Sequence, residues 1–490
     1  MGDENTVLDT ASARHLLRRT GFGALPKDLT AFTGMTRGTA ADKLLNYKPH
    51  GFRPSGRDFE SAHNKWIKTL VKARSPLQAK LVLFWHDHFA TAFSKVQDVN
   101  LMADQISLLY QEGNGNFKTL VKDINRNPAM MEFLDTERND KDHPNENYGR
   151  ELQELFTLGV LDFNGQPNYT QEDVVQIARA FTGWRYDKRS SFLDTSNHDF
   201  NAEFQATRGP KVIYKSTGGF GPGGVNYAPT ATDEGPQEID TVIDIICQHK
   251  DSQGKNTVAR RIAHRLLEYF AYPNPENQFA DDMVAVSGFD TSFEITPLLR
   301  AVLVDDRFYA TSSPAPFAAG TKKSVKWPVD YAVSTLRLLQ MRLSGRDQHV
   351  AGGSFLSIFD QLSNMGQLLL DPPSVFGWDW ETAWISSATL LARYGLARDL
   401  IASRGNGGSS FRPDRLMDLS LTDPAAIVDA VTGLLGVTDQ LTSMERSALI
   451  SYLTDNGMNP SLDLSDGDVR NTKLNGLFAL VMESPAYQLH

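Results

Sequence analysis

Apolar residues recur every three or four positions over most of this chain, the spacing that places them on one face of an α-helix. Strand-like patterns are few, and Lys211–Tyr214 is either a short strand or an extended loop edge. We therefore predict an all-α fold, a large multi-helix globular array with very little β structure. The predicted helices cover residues 10–19, 39–47, 59–73, 76–92, 97–112, 116–125, 145–158, 170–182, 236–249, 256–270, 291–303, 325–341, 380–402, 424–435, 441–454 and 471–483.

Glycine- and serine-rich segments interrupt this helical pattern. The longest irregular loop region is 185–235, and its Gly218–Gly224 run has neither the spacing nor the Gly-Lys-Ser/Thr ending of a P-loop. Loops this long are uncommon inside a compact fold and are often functional. Residues 403–412 have the composition of a linker. We therefore predict a main helical domain over 1–402 and a C-terminal helical segment over 403–490 packed on it.

The composition restricts the partners and the location of the protein. The 490 residues carry a net charge of −10, which argues against general binding of nucleic acid or of anionic membranes. No apolar run approaches the 18 or so residues of a membrane span, and the single cysteine, Cys247, is predicted to lie in the core. The N-terminus Met-Gly-Asp-Glu-Asn carries no secretory h-region, so we expect a periplasmic or extracellular protein if an export signal has been removed, and otherwise a cytoplasmic one.

The first candidate for chemistry is the patch Phe84–Phe89, Phe-Trp-His-Asp-His-Phe. The helix before it is apolar on nearly every face, so it should be buried, and buried ionisable groups cost several kcal/mol unless they are paired or metal-bound. His86 and His88 point about 200° apart on a regular helix and then cannot bind one metal ion. They converge only if the helix ends or distorts near Trp85. Otherwise one is a ligand and the other is structural, or both are satisfied core histidines.

The second candidate is Asn145–Gly159, where Asn145 suits a helix N-cap. Glu146 and Arg150 lie four positions apart and can pair on one helix face. Glu151 lies on another part of the helix surface. A carboxylate from a deeply packed helix can serve as a metal ligand or as a general base. The alternative is that these charges belong to a surface ion network.

A third candidate is the pair His198-Asp199, which lies in the irregular region. Such a pair can bring a further ligand or a proton-transfer group over a helical scaffold, and the alternative is a solvated loop histidine. Two other segments are weaker candidates. Arg14–Gly23 contains arginines that can clamp a carboxylate, or form structural ion pairs. Asp371–Trp380 is either the wall of a pocket or a packed aromatic corner.

Taken together, these segments resemble the bacterial domain-of-unknown-function 1800 family. The resemblance implies a largely helical protein that is often exported, and it implies no established reaction. Family members often carry Asn between the two histidines, where this chain has Asp87. The matching segments are Arg14–Gly23, Phe84–Phe89, Asn145–Leu152, Leu155–Gly159, Tyr169-Thr170, Ala178–Trp184, His198-Asp199, Lys211, Gly366-Gln367, Pro372-Pro373 and Gly377-Trp378.

The main hypothesis from the sequence is a metal-dependent enzyme, with hydrolysis preferred slightly to oxidation by Fe or Cu. The metal ligands would come from His86, His88, His198 and Glu151, and the divalent ion would be Zn, Fe, Mn or Cu. The catalytic groups would be Glu146, Arg150, Glu151 and Asp199. The competing hypothesis is a non-catalytic, extracytoplasmic binding or assembly protein in which the same groups form a buried His/Glu/Arg network. The sequence identifies neither the substrate nor the oligomeric state.

Overall fold

The all-α prediction is confirmed, since 58% of the chain is helical and only 5% is strand. In the computed structural model, residues 2–49, 51–54, 56–200, 211–214, 225–227, 235–310, 323–341, 349–351, 355–403 and 411–490 are described. One continuous set of buried apolar side chains runs through the helices. None of the described helices is long and apolar enough to cross a membrane.

The α-helices are numbered in chain order, and three pairs of short strands connect them. The helices are α1 Thr10–Arg19, α2 Pro26–Phe32, α3 Arg37–Leu45, α4 Phe59–Val71, α5 Pro76–His88, α6 Phe93–Val96, α7 Val99–Glu112, α8 Phe117–Asn125, α9 Pro128–Phe133, α10 Glu146–Glu151, α11 Gln171–Ala180, α12 Glu238–Ile246, α13 Thr257–Phe270, α14 Asn277–Ser287, α15 Phe289–Ser292, α16 Ile295–Val304, α17 Asp306–Tyr309, α18 Pro328–Leu338, α19 Ile358–Asn364, α20 Ser387–Ala402, α21 Pro424–Leu434, α22 Ser443–Leu453, α23 Gly467–Val469, α24 Asn475–Glu483 and α25 Pro485–Gln488. Short 3₁₀ segments are Thr136–Arg138, Glu381–Trp384 and Pro413–Arg415, and π-helical segments are Leu152–Thr157 and Arg470–Leu474. The antiparallel pairs are β1 Trp184–Asp187 with β2 Ser190–Leu193, β3 Lys211–Ile213 with β4 Val225–Tyr227, and β5 His349–Ala351 with β6 Phe355–Ser357.

Local signals in the sequence determine several helix ends. Helix α11 starts with a capping box, in which the Thr170 hydroxyl accepts the backbone N–H of Asp173 and the Asp173 carboxylate accepts that of Thr170. Gly159 follows the predicted helix 145–158 and has a φ of +82°, a conformation that glycine adopts without strain. Helix α14 is absent from our prediction, as its apolar spacing is interrupted by acidic residues.

Helix α5 lies at the centre of the molecule. Every residue from Leu77 to His88 is buried, as its apolar sequence predicts. It packs on α7, and its C-terminal half contacts the turn around Leu370 and Trp378. The two histidines therefore reach different neighbours on opposite sides of one rigid helix.

The described parts of the irregular region 185–235 contain more regular structure than the sequence suggests. Its described parts include β2 and the β3–β4 pair, so Lys211–Tyr214 contains a short strand. Strand β3 packs on α11. The Gly218–Gly224 run lies outside the described residues.

Helices from the predicted C-terminal segment contact the main body. Helix α24 packs on α20, and Asp439 forms an ion pair with Arg14 of α1, with 3.0 Å between Nη1 and Oδ1. An isolated bridge joins Val325 to Leu489. The division near residue 403 stays a prediction.

Candidate functional site

His86 and His88 do not share a binding point. The Nε2 atom of His86 accepts the backbone N–H of Leu370 at 3.0 Å, and its ring lies between two tryptophans. The Nε2 atom of His88 donates to the carbonyl of Phe156 at 3.0 Å. Burial lowers the pKa of His86 to about 3 and lowers that of His88 well below its usual value, so both rings are neutral. Both are therefore buried core histidines with at least one ring nitrogen hydrogen-bonded to the backbone.

His198 and Asp199 belong to a buried ion network. The Arg179 guanidinium donates from Nε to Asp199 Oδ2 at 2.8 Å. The Lys211 ammonium donates to Glu238 Oε1 at 2.5 Å and to the Asp199 backbone carbonyl at 2.5 Å. All five side chains are at most 2% exposed. Two cations thus neutralise two carboxylates away from solvent.

The His198 ring lies between a backbone carbonyl and the Glu238 carboxylate. Its Nδ1 atom faces the Thr182 carbonyl at 2.8 Å and must donate to it. Its Nε2 atom lies 2.7 Å from Glu238 Oε2. The two side chains are therefore within ion-pair distance, although neither of these atoms forms a well-aligned hydrogen bond in the described structure.

The carboxylates of helix α10 lie apart from this network. Glu146 accepts from Gln171 Nε2 at 2.6 Å and from Arg150 Nη2 at 3.3 Å, and both members of the ion pair are about 40% exposed. Glu151 is partly buried, and burial together with the nearby Glu154 raises its pKa. Glu146 and Arg179 border one cavity of about 360 Å³.

The four predicted metal ligands do not fit a common ion. No group of three His, Cys, Asp or Glu side chains in the described part of the chain is arranged to hold a metal. The ring nitrogen of His86 that could bind a metal already accepts a backbone N–H, and the surroundings of His198 include the Lys211 cation. We therefore derive no metal chemistry from these residues.

Sequence reasoning missed Glu238, although a signal was present. Glu238 precedes Val242 and Ile246 by four and eight positions, so it lies on the apolar stripe of α12. A carboxylate at such a position must find a partner inside the protein. Lys211, among the residues of the family resemblance, is that partner.

A second polar cluster was also missed, and it lies between α5, α13 and α18. Asp330 accepts from Lys80 Nζ at 2.5 Å and lies 3.2 Å from His490 Nε2. Burial alone would raise the pKa of Asp330, but the adjacent Lys80 and His490 lower it overall. Asp330 Oδ1 and His490 Nδ1 are buried without a hydrogen-bond partner among the described residues. Glu381 lies at the same small cavity, which has room for about one water molecule.

Glu381 has two unusual properties. Its φ of +57° lies in the left-handed region, which is strained for a residue with a Cβ. Burial raises its pKa to about 7, against the opposing effects of the Val325 N–H and of Arg19. A strained carboxyl group that titrates near neutral pH is a candidate for acid–base chemistry.

A much larger cavity lies elsewhere, between α1, α2, α3, α4 and α18. It is an open cleft of about 980 Å³. Among its described lining residues, seven are cationic and only Asp28 is anionic. The cations, here called the cleft cations, are Lys27, Lys43, Lys48, Lys68, Lys72, Arg74 and Arg337. This local charge is opposite in sign to the net charge of −10.

Most of the cleft cations have no carboxylate partner among the residues that the structure describes. Within the described parts of the chain, no carboxylate lies within ion-pair distance of Arg337 or Arg74, nor of Lys27, Lys43 or Lys72. Elsewhere, buried cations such as Lys80 and Lys211 each meet a carboxylate. The cleft therefore combines an uncompensated positive potential with a concave surface, which is the physical requirement for binding an anion.

Comparison with known proteins gives a family but no precedent for the site. No curated protein and no solved structure matches the chain. The sequence profile described as "Protein of unknown function (DUF1800)" matches residues 15–489. Because this match covers nearly the whole chain, the protein belongs to the DUF1800 family.

Proposed function

We propose that this protein is a binding protein that holds a negatively charged ligand in the basic cleft. The observation that carries the proposal is that five of the cleft cations around a cavity of about 980 Å³ have no carboxylate within ion-pair distance in the described structure. These five are Lys27, Lys43, Lys72, Arg74 and Arg337. Like charges held close together repel, so an arrangement of this kind is stabilised by an anion that binds between them. The buried network around His198 then has a structural role, because it joins α11, α12 and β3.

Charge reversal on the cleft surface tests this function. Lys43, Lys48 and Lys72 are exposed, so replacing all three by Glu should leave the fold intact. The matched control replaces Lys65, Lys188 and Lys250, which are exposed and lie outside the cleft, and it changes the net charge equally. Isothermal titration with inorganic phosphate, a heparin oligosaccharide and decanoate measures binding to each variant.

The proposed function requires saturable binding of at least one of these anions. That binding should weaken at least tenfold in the cleft variant and remain within about twofold in the control, since a tenfold loss corresponds to about 1.4 kcal/mol. It should also weaken as salt rises, because exposed charges are screened. Equal binding by the cleft and control variants would contradict the proposal.

Hydrolysis is a second candidate function, supported by the unusual state of Glu381. Its carboxylate would remove a proton from water, and Lys80 lies at the same cavity to stabilise negative charge that develops on the substrate. Substrate entry requires the segment Trp380-Glu381 to move, because the cavity holds only about one water molecule. A panel of 4-nitrophenyl esters tests this function: activity should rise with an apparent pKa near 7 and disappear in Glu381→Gln.

A further inference from the structure

The wall between the cleft cations is apolar, which narrows the class of anion that the cleft fits. It includes the side chains Leu25, Phe32, Leu44, Val71, Leu336 and Met341. A phosphate ion or a hydrophilic polyanion gains nothing from contact with such a wall. An alkyl chain gains free energy in proportion to the apolar area that it removes from water.

We propose that the ligand of the cleft is a single-chain amphipathic anion, a fatty-acid-like carboxylate whose chain lies along the apolar wall and whose head group pairs with Arg337. This inference rests on the proposed function and adds the chemistry of the ligand. The cleft volume of about 980 Å³ lies within the range of roughly 300–1,000 Å³ that is typical of small-molecule sites.

Arg337 is held in place by the end of a neighbouring helix. Its Nη1 atom donates to the Val71 carbonyl at 2.8 Å and lies 3.5 Å from that of Leu70 and 3.4 Å from that of Ala73, at the C-terminus of α4. Its other nitrogens make no hydrogen bond in the described structure. Burial lowers the pKa of Arg337, while the more distant Asp28 opposes that shift. A fixed guanidinium with free donors is well suited to a carboxylate.

A nearby hydroxyl adds a second incomplete polar group. The Tyr47 hydroxyl is buried in the cleft wall and has no hydrogen-bond partner among the described residues. Buried polar groups in folded proteins are nearly always paired, so an orphaned hydroxyl beside a cavity indicates a missing partner. The head group of a bound anion, or a water that it orders, would supply that partner.

The lysines at the rim fit an amphipathic ligand as well. The Lys43 ammonium lies 4.7 Å from the centre of the Phe32 ring, so its charge rests on an aromatic side chain of the apolar wall. Exposed lysines of this kind attract an anion over a distance and contribute less once it is bound. Head-group specificity then depends mainly on Arg337.

A chain-length series tests the ligand class on the full-length protein. Hexanoate, octanoate, decanoate and laurate are titrated calorimetrically below their micelle concentrations, with decanol, heparin oligosaccharide and phosphatidylserine vesicles as comparison probes. Affinity should rise about threefold to fourfold with each added methylene group until the wall is covered, following the transfer free energy of a buried CH₂. Decanol should bind at least tenfold more weakly than decanoate.

Two variants separate the chain from the head group. Leu44→Ser removes an apolar side chain of the wall on α3, a different element from the segment whose carbonyls hold Arg337, and should weaken laurate severalfold while leaving hexanoate nearly unchanged. Arg337→Gln should weaken every carboxylate about tenfold without changing the increment per methylene. Lys65→Gln on the outer face of α4 is the control. Circular dichroism confirms that each variant is folded.

The outcomes distinguish the ligand class from the function on which it rests. Cleft-dependent binding of heparin without binding of the carboxylates would overturn the fatty-acid inference and leave the binding function intact. Binding only to vesicles would overturn it in favour of a membrane surface. Binding of the carboxylates with no dependence on chain length would also overturn it. If no anion binds, both proposals fail.

Discussion

The carboxylate of Asp87 accepts the backbone N–H of Trp378 at 2.8 Å and the indole N–H of Trp380 at 3.1 Å. This relationship joins α5 to a turn almost 300 positions further along the chain. Burial raises the pKa of Asp87 to about 6, although Arg265 at 3.4 Å and both N–H donors act in the opposite direction. The acidic residue between the two histidines therefore anchors the aromatic corner.

The close approach to Asp87 requires glycine at position 377. Gly377 has a φ of +80°, and a Cβ there would lie 2.4 Å from Asp87 Oδ1. Gly377→Ala should lower the free energy of unfolding by more than about 3 kcal/mol, because backbone strain and a steric clash add. The control is Gly165→Ala, which has a φ of +79° and nothing within 4 Å, so it should cost only about 1–2 kcal/mol. Urea unfolding measures the free energy of unfolding of both variants. Equal losses would show that the backbone at Gly377 shifts enough to remove the clash with Asp87.

Features that depend on neighbouring positions were predictable from the sequence. Burial of α5 on every face followed from its composition, and the separation of His86 from His88 followed from helix geometry. The capping box at Thr170 followed from a pattern four residues long. Each of these depends on the local backbone alone.

Features that depend on chain topology were not predictable. The basic cleft is formed by side chains of helices that lie far apart in the sequence. The overall charge of −10 gave no indication of a local positive surface. The cluster of Asp330, Lys80 and His490 likewise joins three distant segments, and none of them contains a recognisable motif. The one local signal was Lys80, an isolated lysine within the apolar helix α5, because a buried cation needs a carboxylate partner such as Asp330.

Buried histidines make the fold sensitive to acid. Burial lowers the pKa of His63 to about 4, against an ordinary value near 6.5. Below pH 6.5 the imidazole of His63 therefore binds a proton in the unfolded chain, whereas in the folded protein it stays neutral. The free energy of unfolding consequently decreases as the pH falls from 6.5 towards 4. In His63→Phe, the decrease in the free energy of unfolding between pH 6.5 and pH 4 should be smaller by up to roughly 3 kcal/mol. Urea unfolding of both proteins at pH 7, 6 and 5 measures this difference. If the free energy of unfolding depends on pH in the same way in the variant and in the unsubstituted protein, His63 is protonated in the folded state.

Glu381 should give the opposite dependence on pH. Its pKa is raised to about 7 in the folded protein, so the folded chain holds a proton that the unfolded chain releases above about pH 4.5. Stability should therefore fall as the pH rises from 4.5 to 7. Glu381→Gln imitates the protonated group and should gain on the order of 2 kcal/mol relative to the unsubstituted protein between pH 5 and pH 8. A constant difference at the two pH values would show that this carboxyl titrates normally.

The buried pair of Lys211 and Glu238 should be strongly coupled. Lys211→Met leaves a carboxylate in the interior with only His198 beside it, so it should lower the free energy of unfolding by roughly 3–5 kcal/mol. In the double variant with Glu238→Gln the charge is gone, and the total loss should be smaller than the sum of the single losses by more than about 1 kcal/mol.

A surface pair supplies the control for this double-mutant cycle. Lys95 and Asp135 approach to 2.8 Å but are 42% and 28% exposed, so Lys95→Met and Asp135→Asn should couple by less than about 1 kcal/mol. Urea unfolding at pH 7 measures both cycles. A coupling for the buried pair as small as that of the surface pair would mean that water replaces the missing cation, and the network would then not fix the arrangement of α11, α12 and β3.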